Sequence, residues 1–278
     1  MPEAADLPPD PLASLHAGCS AAHPPSESRL VTTVEALRRL VFAELREEGV
    51  DGSGLAAQVR EGFCGLVERA HRARNVPQPE GVVEHFLERA PAIAAMLRED
   101  VRAAFEGDPA ATCELEIVAC YPGVRALFVH RFAHELDALG VPLLPRMMAE
   151  FAHRETGIDL HPSARIGRGV FLDHGTGIVV GQTAVIGDGC RLYQGVTLGA
   201  RSFDREPDGS MRRGYKRHPT LEDQVVVYAG ATILGGDTVI GRGSVIAGGV
   251  FLTKSVPAGH VVTGPRLELR MISMGGTI

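Results

Sequence analysis

Residues 160–199 read LHPSARIGRGVFLDHGTGIVVGQTAVIGDGCRLYQGVTLG, and after an interruption residues 221–251 continue LEDQVVVYAGATILGGDTVIGRGSVIAGGVF. Leu160, Ile166, Leu172, Ile178, Ala184, Cys190 and Val196 fall six apart in the first stretch, as do Leu221, Val227, Ile233, Val239, Val245 and Phe251 in the second. A small or aliphatic side chain at every sixth position is what a triangular coil needs, because three short strands per turn each point one such residue into a narrow interior. The period predicts a parallel β-helix with those thirteen residues inward. At three hexads per turn they make about four coils, enough to bury a continuous core that one coil alone could not.

Between the two stretches the period breaks, since the 25 residues separating Val196 from Leu221 are one more than a multiple of six. The intervening segment, residues 200–219, carries Arg201, Arg205, Arg212, Arg213, Lys216 and Arg217 and reads as a basic loop thrown out of the coil. Long insertions of this kind in compact domains are either functional or simply mobile.

The 278 residues are 45% hydrophobic and 22% charged, with a net charge of −6 and no tryptophan. That mild acidity argues against general nucleic-acid binding, which needs a basic face, with the loop as a local exception. No apolar run approaches the ~18 residues of a membrane span. Residues 1–28 hold Pro2, Pro8, Pro9, Pro11, Pro24 and Pro25 without a basic segment followed by an apolar one, so they read as a disordered arm rather than a secretory signal. Cys19, Cys64, Cys113, Cys120 and Cys190 are odd in number and form no C-x-x-C pair, which speaks against a disulfide framework or a structural zinc site and for a reducing cytoplasm. Cys190, on an inward position, reads as a small buried hydrophobe.

A helical domain over residues 29–155 separates arm and coil. Val34, Leu37, Leu40, Val41 and Leu45 recur at helical spacing after a capping stretch at residues 26–28, with Gly49 as the stop. Further helices are expected over 55–73, over 82–105 in two pieces broken at Pro91, and over 123–139. His130 and His134 stand one turn apart in the last of these, but without an HExxH string or a third ligand in register they read as packing or hydrogen-bonding residues. The coil domain is then expected over 156–260, with a tail over 261–278.

Chemistry-bearing residues gather around the first coils. His174 follows Asp173 in FLDHGTG and lies fifteen residues after Asp159, close to one coil of roughly eighteen, a separation at which side chains can stack. A carboxylate held against an imidazole fixes its tautomer and leaves the other nitrogen as a base able to deprotonate an alcohol. Asp/His pairs are common on surfaces, so the spacing alone does not assign a reaction.

The wider pattern goes further. The strings Leu160-His161-Pro162-Ser163-Ala164, Ile166-Gly167-Arg168-Gly169, Leu172-Asp173-His174-Gly175-Thr176-Gly177-Ile178-Val179-Val180-Gly181-Gln182-Thr183-Ala184, Val196-Thr197-Leu198-Gly199 and Lys216-Arg217-His218-Pro219, with Asp108-Pro109-Ala110 upstream, closely resemble the serine O-acetyltransferase family. The resemblance runs from about residue 108 to 257. It implies an α+β protein, a helical bundle followed by a left-handed parallel β-helix of hexapeptide repeats, that moves acetyl from acetyl-CoA to L-serine for L-cysteine synthesis. By the same resemblance His174 is the general base, Asp159 orients it, Asp108 and Asp173 belong to the serine pocket, Arg217 pairs with the substrate carboxylate, and His218 completes that pocket. The charges suit an amino acid, with acidic groups for its ammonium and a guanidinium for its carboxylate.

CoA, a co-substrate rather than a tightly bound cofactor, is implied to lie along a cleft between neighbouring coils of a homotrimer, where Gly199, Ala200, Ala229 and Gly230 fit a narrow groove. Those residues equally suit tight β-helix turns. The helical region can pair trimers into a hexamer, and feedback inhibition by cysteine is expected. The terminal Gly275-Gly276-Thr277-Ile278 suits the insertion of an aliphatic carboxylate end into O-acetylserine sulfhydrylase.

Two other classes share the coil. A zinc lyase of the γ-carbonic-anhydrase kind would use His161, His174 and His218, but gives no role to the Asp-Pro-Ala and Arg-His-Pro strings. A non-catalytic scaffold would not need the four pocket residues together with Asp159 and His174. Among acyltransferases the nearest rivals are those with a homoserine, sugar or diaminopimelate-precursor acceptor.

Overall fold

The computed structural model describes residues 23–265, so most of the proline-rich arm, Cys19 and the Ile278 tail lie outside it. Six α-helices precede fourteen short parallel strands. Helix α1 (Glu27–Val41) is capped by Ser26, whose hydroxyl accepts from the Arg29 N–H. A single 3-10 turn at Ala43–Leu45 follows it. Helix α2 (Gly52–Arg74) starts at the Asp51 cap and ends at Asn75, whose φ of 50° closes it in the left-handed region.

Helix α3 (Val82–Gly107) is one continuous helix through Pro91, not the two pieces expected. Proline removes one backbone donor there, but Phe86, Ile93, Leu97 and Val101 are all buried on the same face, and their burial outweighs that loss. Helices α4 (Glu114–Cys120), α5 (Pro122–Ala138) and α6 (Leu144–Thr156) complete the bundle. Neither α4 nor α6 is read from the periodicity: α4 is only seven residues long, and α6 opens at Leu143 with no side-chain cap. Phe42, Phe63, Phe86, Phe128 and Phe132 form a tilted, edge-to-face chain through the core.

The coil has three faces. The first stacks β1 (Asp159–Leu160), β4 (Val179–Val180), β7 (Thr197–Gly199), β10 (Thr232–Leu234) and β13 (Phe251–Leu252). The second stacks β2 (Arg165–Ile166), β5 (Val185–Ile186), β8 (Thr220–Leu221) and β11 (Val239–Ile240). The third stacks β3 (Phe171–Asp173), β6 (Arg191–Tyr193), β9 (Val226–Val227), β12 (Val245–Ile246) and β14 (Val261–Val262). Five strands on two faces make nearly five coils, one more than the hexad count gives, because the strands reach past the last hexad to Val262.

The coils are not uniform. Asp159 pairs with Val179 twenty residues on, Val179 with Thr197 eighteen on, and Thr220 with Val239 nineteen on. Two inward columns run up the interior, as Ala184 and Ile186, Cys190 and Leu192, and Val196 and Leu198 show. In the second stretch the expected inward set holds for Leu221, Val227 and Ile233 and then slips by one residue. The turn at Gly235, with φ 105°, takes one residue more, so Ile240 and Ile246 are buried while Val239 and Val245 face outward and Phe251 is 67% exposed.

Bundle and coil share their cores. Ala126 and Leu127 of α5 pack into the coil interior, and Phe171 of β3 packs into the bundle. The buried Arg131 of α5 forks onto Asp100 of α3 at 2.7 Å through two nitrogens and donates to the carbonyls of Ile166 and Gly167, while Asp100 also accepts from the Val170 N–H. The loop over 200–219 folds into a small antiparallel hairpin bridged at Arg205 and Met211.

Candidate active site

Asp173 ends β3, and the chain must then turn from the third face onto the first. It does so through His174, which has a φ of 56°, and the Asp173 carbonyl accepts from the Gly175 N–H at 2.6 Å. A γ-turn of this hand, centred on a residue with a side chain, is a strained conformation of the kind found at functional sites. It also needs the glycine that follows: Gly175 sits at φ 78°, and a Cβ there would collide with Ile158. The turn lifts the His174 ring into solvent, 74% exposed, with Nε2 3.8 Å from Asp173 Oδ1.

Asp108, which closes α3, comes to the same edge. Its carboxylate accepts from the Tyr121 hydroxyl at 2.6 Å and from the Ala110 N–H at 2.8 Å, and these two bonds hold it below the usual carboxylate range. The Tyr121 hydroxyl is correspondingly pushed up to about 12 by its bond to Asp108. Asp173 goes the other way: burial raises its carboxyl, against the opposing pull of His174 and with Asp108 adding to the rise. This edge therefore carries two carboxylates and an accessible imidazole, a receptor for a small ammonium beside a base.

The second group lies on the opposite edge of the first face. Gly181, Gln182 and Thr183 follow β4, and Lys216, Arg217 and His218 close the loop before β8. Arg217 Nη2 donates to Gln182 Oε1 at 2.7 Å, and its guanidinium lies 5.9 Å from the Tyr215 ring, over which Arg212 also sits. His218 is buried, with its ring across Gly181, where any Cβ would collide with it. Burial first, and then the positive Arg217 and Lys216, push His218 down to about 4, so it is neutral near pH 7. His161 is close by, lowered by burial and then by Arg146, and its Nδ1 accepts from the Ser163 N–H.

The structure thus brings Asp108, Asp173 and His174 together on one edge, and Arg217 and His218 together on the other. Among the described residues no side-chain hydrogen bond or ion pair joins the two groups. The stacking register expected for Asp159 and His174 is not adopted. The corner over residues 173–177 lengthens this coil to twenty residues, so Asp159 lies opposite Val179, and no hydrogen bond links it to His174. Asp159 sits on the outer side of the first face, next to the turn that carries His174.

The proposed CoA residues divide in the same way. Gly199 and Ala200 lie on the Arg217 edge where the loop leaves the coil. Ala229 and Gly230 lie two coils above the His174 turn in the same column, with Gly230 N–H donating to Gln194 O and Gly195 N–H to Thr176 O. His161 and His218 share one edge while His174 stands on the other, and among the described residues no three His, Cys, Asp or Glu side chains gather as metal ligands. Among those residues, too, no helix is long and apolar enough to cross a membrane. His134 Nδ1–H donates to the Pro162 carbonyl at 2.7 Å, and the ring stacks on the buried His130.

Tyr121, Gln182 and Thr183 are members of these groups to which the sequence assigns no role, although Gln182 and Thr183 stand within the motif strings. Tyr121 lies thirteen residues from its partner Asp108, with nothing local to mark it. Gln182 and Thr183 follow Gly181 within the quoted first stretch, two and three residues past the β4 pair, where a turn side chain reaches the loop end.

No family model matches the chain. A serine acetyltransferase encoded on a plasmid of Synechococcus elongatus is 52% identical over 197 residues, which cover 71% of this chain and 61% of that protein. The solved structure of serine acetyltransferase isoform 3 from Entamoeba histolytica, in complex with cysteine, superposes with a TM-score of 0.74 at 31% identity, covering 94% of this chain and 92% of that one. This chain belongs to the serine acetyltransferase family. A serine acetyltransferase from Brucella abortus in complex with coenzyme A, 28% identical with a TM-score of 0.61, covers 92% of this chain and 86% of its own. Membership extends over both the helical bundle and the coil, because the Entamoeba match spans nearly the whole of each chain.

Proposed function

We propose that this chain is an acetyltransferase that moves acetyl from acetyl-CoA to the hydroxyl of L-serine, giving O-acetylserine and CoA, in the cytoplasm and for L-cysteine synthesis. The observation that carries the reading is the placing of two complementary half-sites on opposite edges of one coil face, at the height of β4. Rotating one copy by a third of a turn about an axis facing that side lays the His174 edge of one subunit against the Arg217 edge of the next. Three copies then make three complete sites. The face between them suits contact: its outward row runs Asp159, Val179, Thr197, Thr232 and Phe251, with Val179 and Phe251 among the exposed large apolar side chains.

In the assembled site the Asp108 and Asp173 carboxylates receive the serine ammonium, and Arg217 forks onto its carboxylate. The His218 Nε2–H is a neutral donor beside it. His174 takes the hydroxyl proton as the serine oxygen attacks the thioester carbonyl, and the tetrahedral intermediate collapses by expelling the CoA thiolate, which takes the proton back from the imidazolium. Asp159 orients the His174 ring once the neighbouring subunit closes over it. CoA runs along the seam between Ala229 and Gly230 of one subunit and Gly199 and Ala200 of the next; the coenzyme A held by the Brucella relative supports it as co-substrate. The cysteine held by the Entamoeba relative supports feedback inhibition through the same pocket.

Pairing of two trimers through the bundles and capture of the Ile278 tail by O-acetylserine sulfhydrylase belong to the same proposal.

Subunit complementation tests it. His174→Ala and Arg217→Ala are each expected to be inactive as pure assemblies. Unfolded together and refolded as a mixture, they should regain activity, since random assortment leaves roughly a quarter of seams with both wild-type edges. A mixture as inactive as its parents would show that each site is built within one subunit.

A further inference from the structure

The loop end that presents Arg217 and His218 is fastened to the coil through one residue. The Thr183 hydroxyl accepts from the Arg217 N–H at 2.9 Å and from the His218 N–H at 3.1 Å, and it lies 2.8 Å from His218 Nδ1. The Thr183 N–H also points at His218 Nδ1, at 3.1 Å, and the Thr183 carbonyl receives Lys216 Nζ at 2.6 Å. A hydroxyl has one proton to give and two lone pairs to receive with, and here all three are used.

We propose that Thr183 is a positioning residue for the acceptor half-site, holding the Arg217 and His218 backbone in place and fixing the tautomer of the His218 ring. The proposal rests on the reading of Arg217 and His218 as the groups that meet the acceptor. Nδ1 of His218 faces a backbone N–H and a hydroxyl that has already received two donors, so Nδ1 is the acceptor and the ring proton sits on Nε2. That makes Nε2–H a fixed donor. The ring can lie where it does only because Gly181 has no side chain, so Gly181 supplies the space and Thr183 the orientation.

Removing the hydroxyl without changing the shape separates this role from packing. Thr183→Val leaves the Arg217 and His218 N–H groups without their acceptor and removes one of the two donors to Nδ1, so the ring is held less firmly by the backbone N–H alone; Thr183→Ser keeps the hydroxyl. In the full-length protein, Thr183→Val is expected to raise KM for L-serine about 10-fold or more while KM for acetyl-CoA stays within about two-fold, and Thr183→Ser to stay within about three-fold of wild type in both. Imidazole nitrogen NMR of histidine-labelled protein, with the His218 signal assigned by its loss in His218→Gln, should show Nδ1 unprotonated in wild type and Thr183→Ser and a larger fraction protonated at Nδ1 in Thr183→Val.

A Thr183→Val enzyme with wild-type KM for serine, or one in which both KM values rise together, would overturn the proposal. So would a wild-type His218 protonated on Nδ1, a result that needs no active variant. A wild-type chain that releases no thiol with serine refutes the acceptor reading instead, and the NMR spectra still decide whether Thr183 sets the ring.

Discussion

At the scale of single residues, the His174 edge shows how neighbouring carboxylates take different roles from their surroundings. Asp108 is held ionised by the Tyr121 hydroxyl and the Ala110 N–H, whereas Asp173 is raised by burial. The sign follows from this difference. A raised carboxyl takes up its proton first as the pH falls, so the ammonium loses Asp173 while Asp108 is still charged. Calorimetric affinity for L-serine should therefore weaken as the pH drops through the raised Asp173 value, and Asp173→Asn should bind more weakly than wild type near pH 7, lack that fall, and converge with wild type once Asp173 is protonated. An unchanged pH dependence in Asp173→Asn would place the titrating group elsewhere. Asp108, Asp173 and His174 are legible in the sequence as motif members, but Tyr121 and the γ-turn at His174 are not, since nothing short of the backbone shows a histidine at φ 56°. The Asp159 spacing misleads for the same reason: the turn adds residues that a six-residue count does not contain.

At the scale of elements, periodicity finds the strands and misplaces their phase wherever a turn changes length. The slip after Ile233 comes from one extra residue at Gly235, and a single-residue slip exchanges inside for outside, which is why Ile240 and Val239 trade places. Proline misleads in the opposite direction. Pro91 reads as a break, yet it lies exposed on α3 while Ile93 and Leu97 on the buried face keep the helix together. Because that site has room and the missing bond is the main cost, Pro91→Ala should stabilise the protein by about 1–3 kcal/mol, read as a higher thermal midpoint. A lower midpoint would mean that the ring itself packs productively.

At the scale of the whole molecule, the junction of bundle and coil fixes where Asp108 meets the His174 turn. The Arg131–Asp100 pair is its buried core, with side chains 4% and 0% exposed. Arg131→Met leaves a buried carboxylate unpaired and should cost about 3–5 kcal/mol, while adding Asp100→Leu should recover most of it, measured by thermal unfolding of both variants. Equal losses in the single and double variants would show that the carbonyl bonds to Ile166 and Gly167, not the charge pair, hold the junction. None of this is visible in the sequence, where Asp100 and Arg131 are 31 residues apart on different helices. The division of the site between two edges of one face is likewise a property of the coil, because the Asp173-His174 and Arg217-His218 strings lie within about 45 residues of each other and read as one cluster.

The central claim is the reaction itself, and thiol release from acetyl-CoA by the purified full-length chain tests it most directly, with L-serine, L-homoserine or no acceptor present and the acetylated product identified by mass. The account predicts release that depends on L-serine and yields O-acetylserine, with homoserine far slower; equal release with every acceptor, or none with serine, would contradict it.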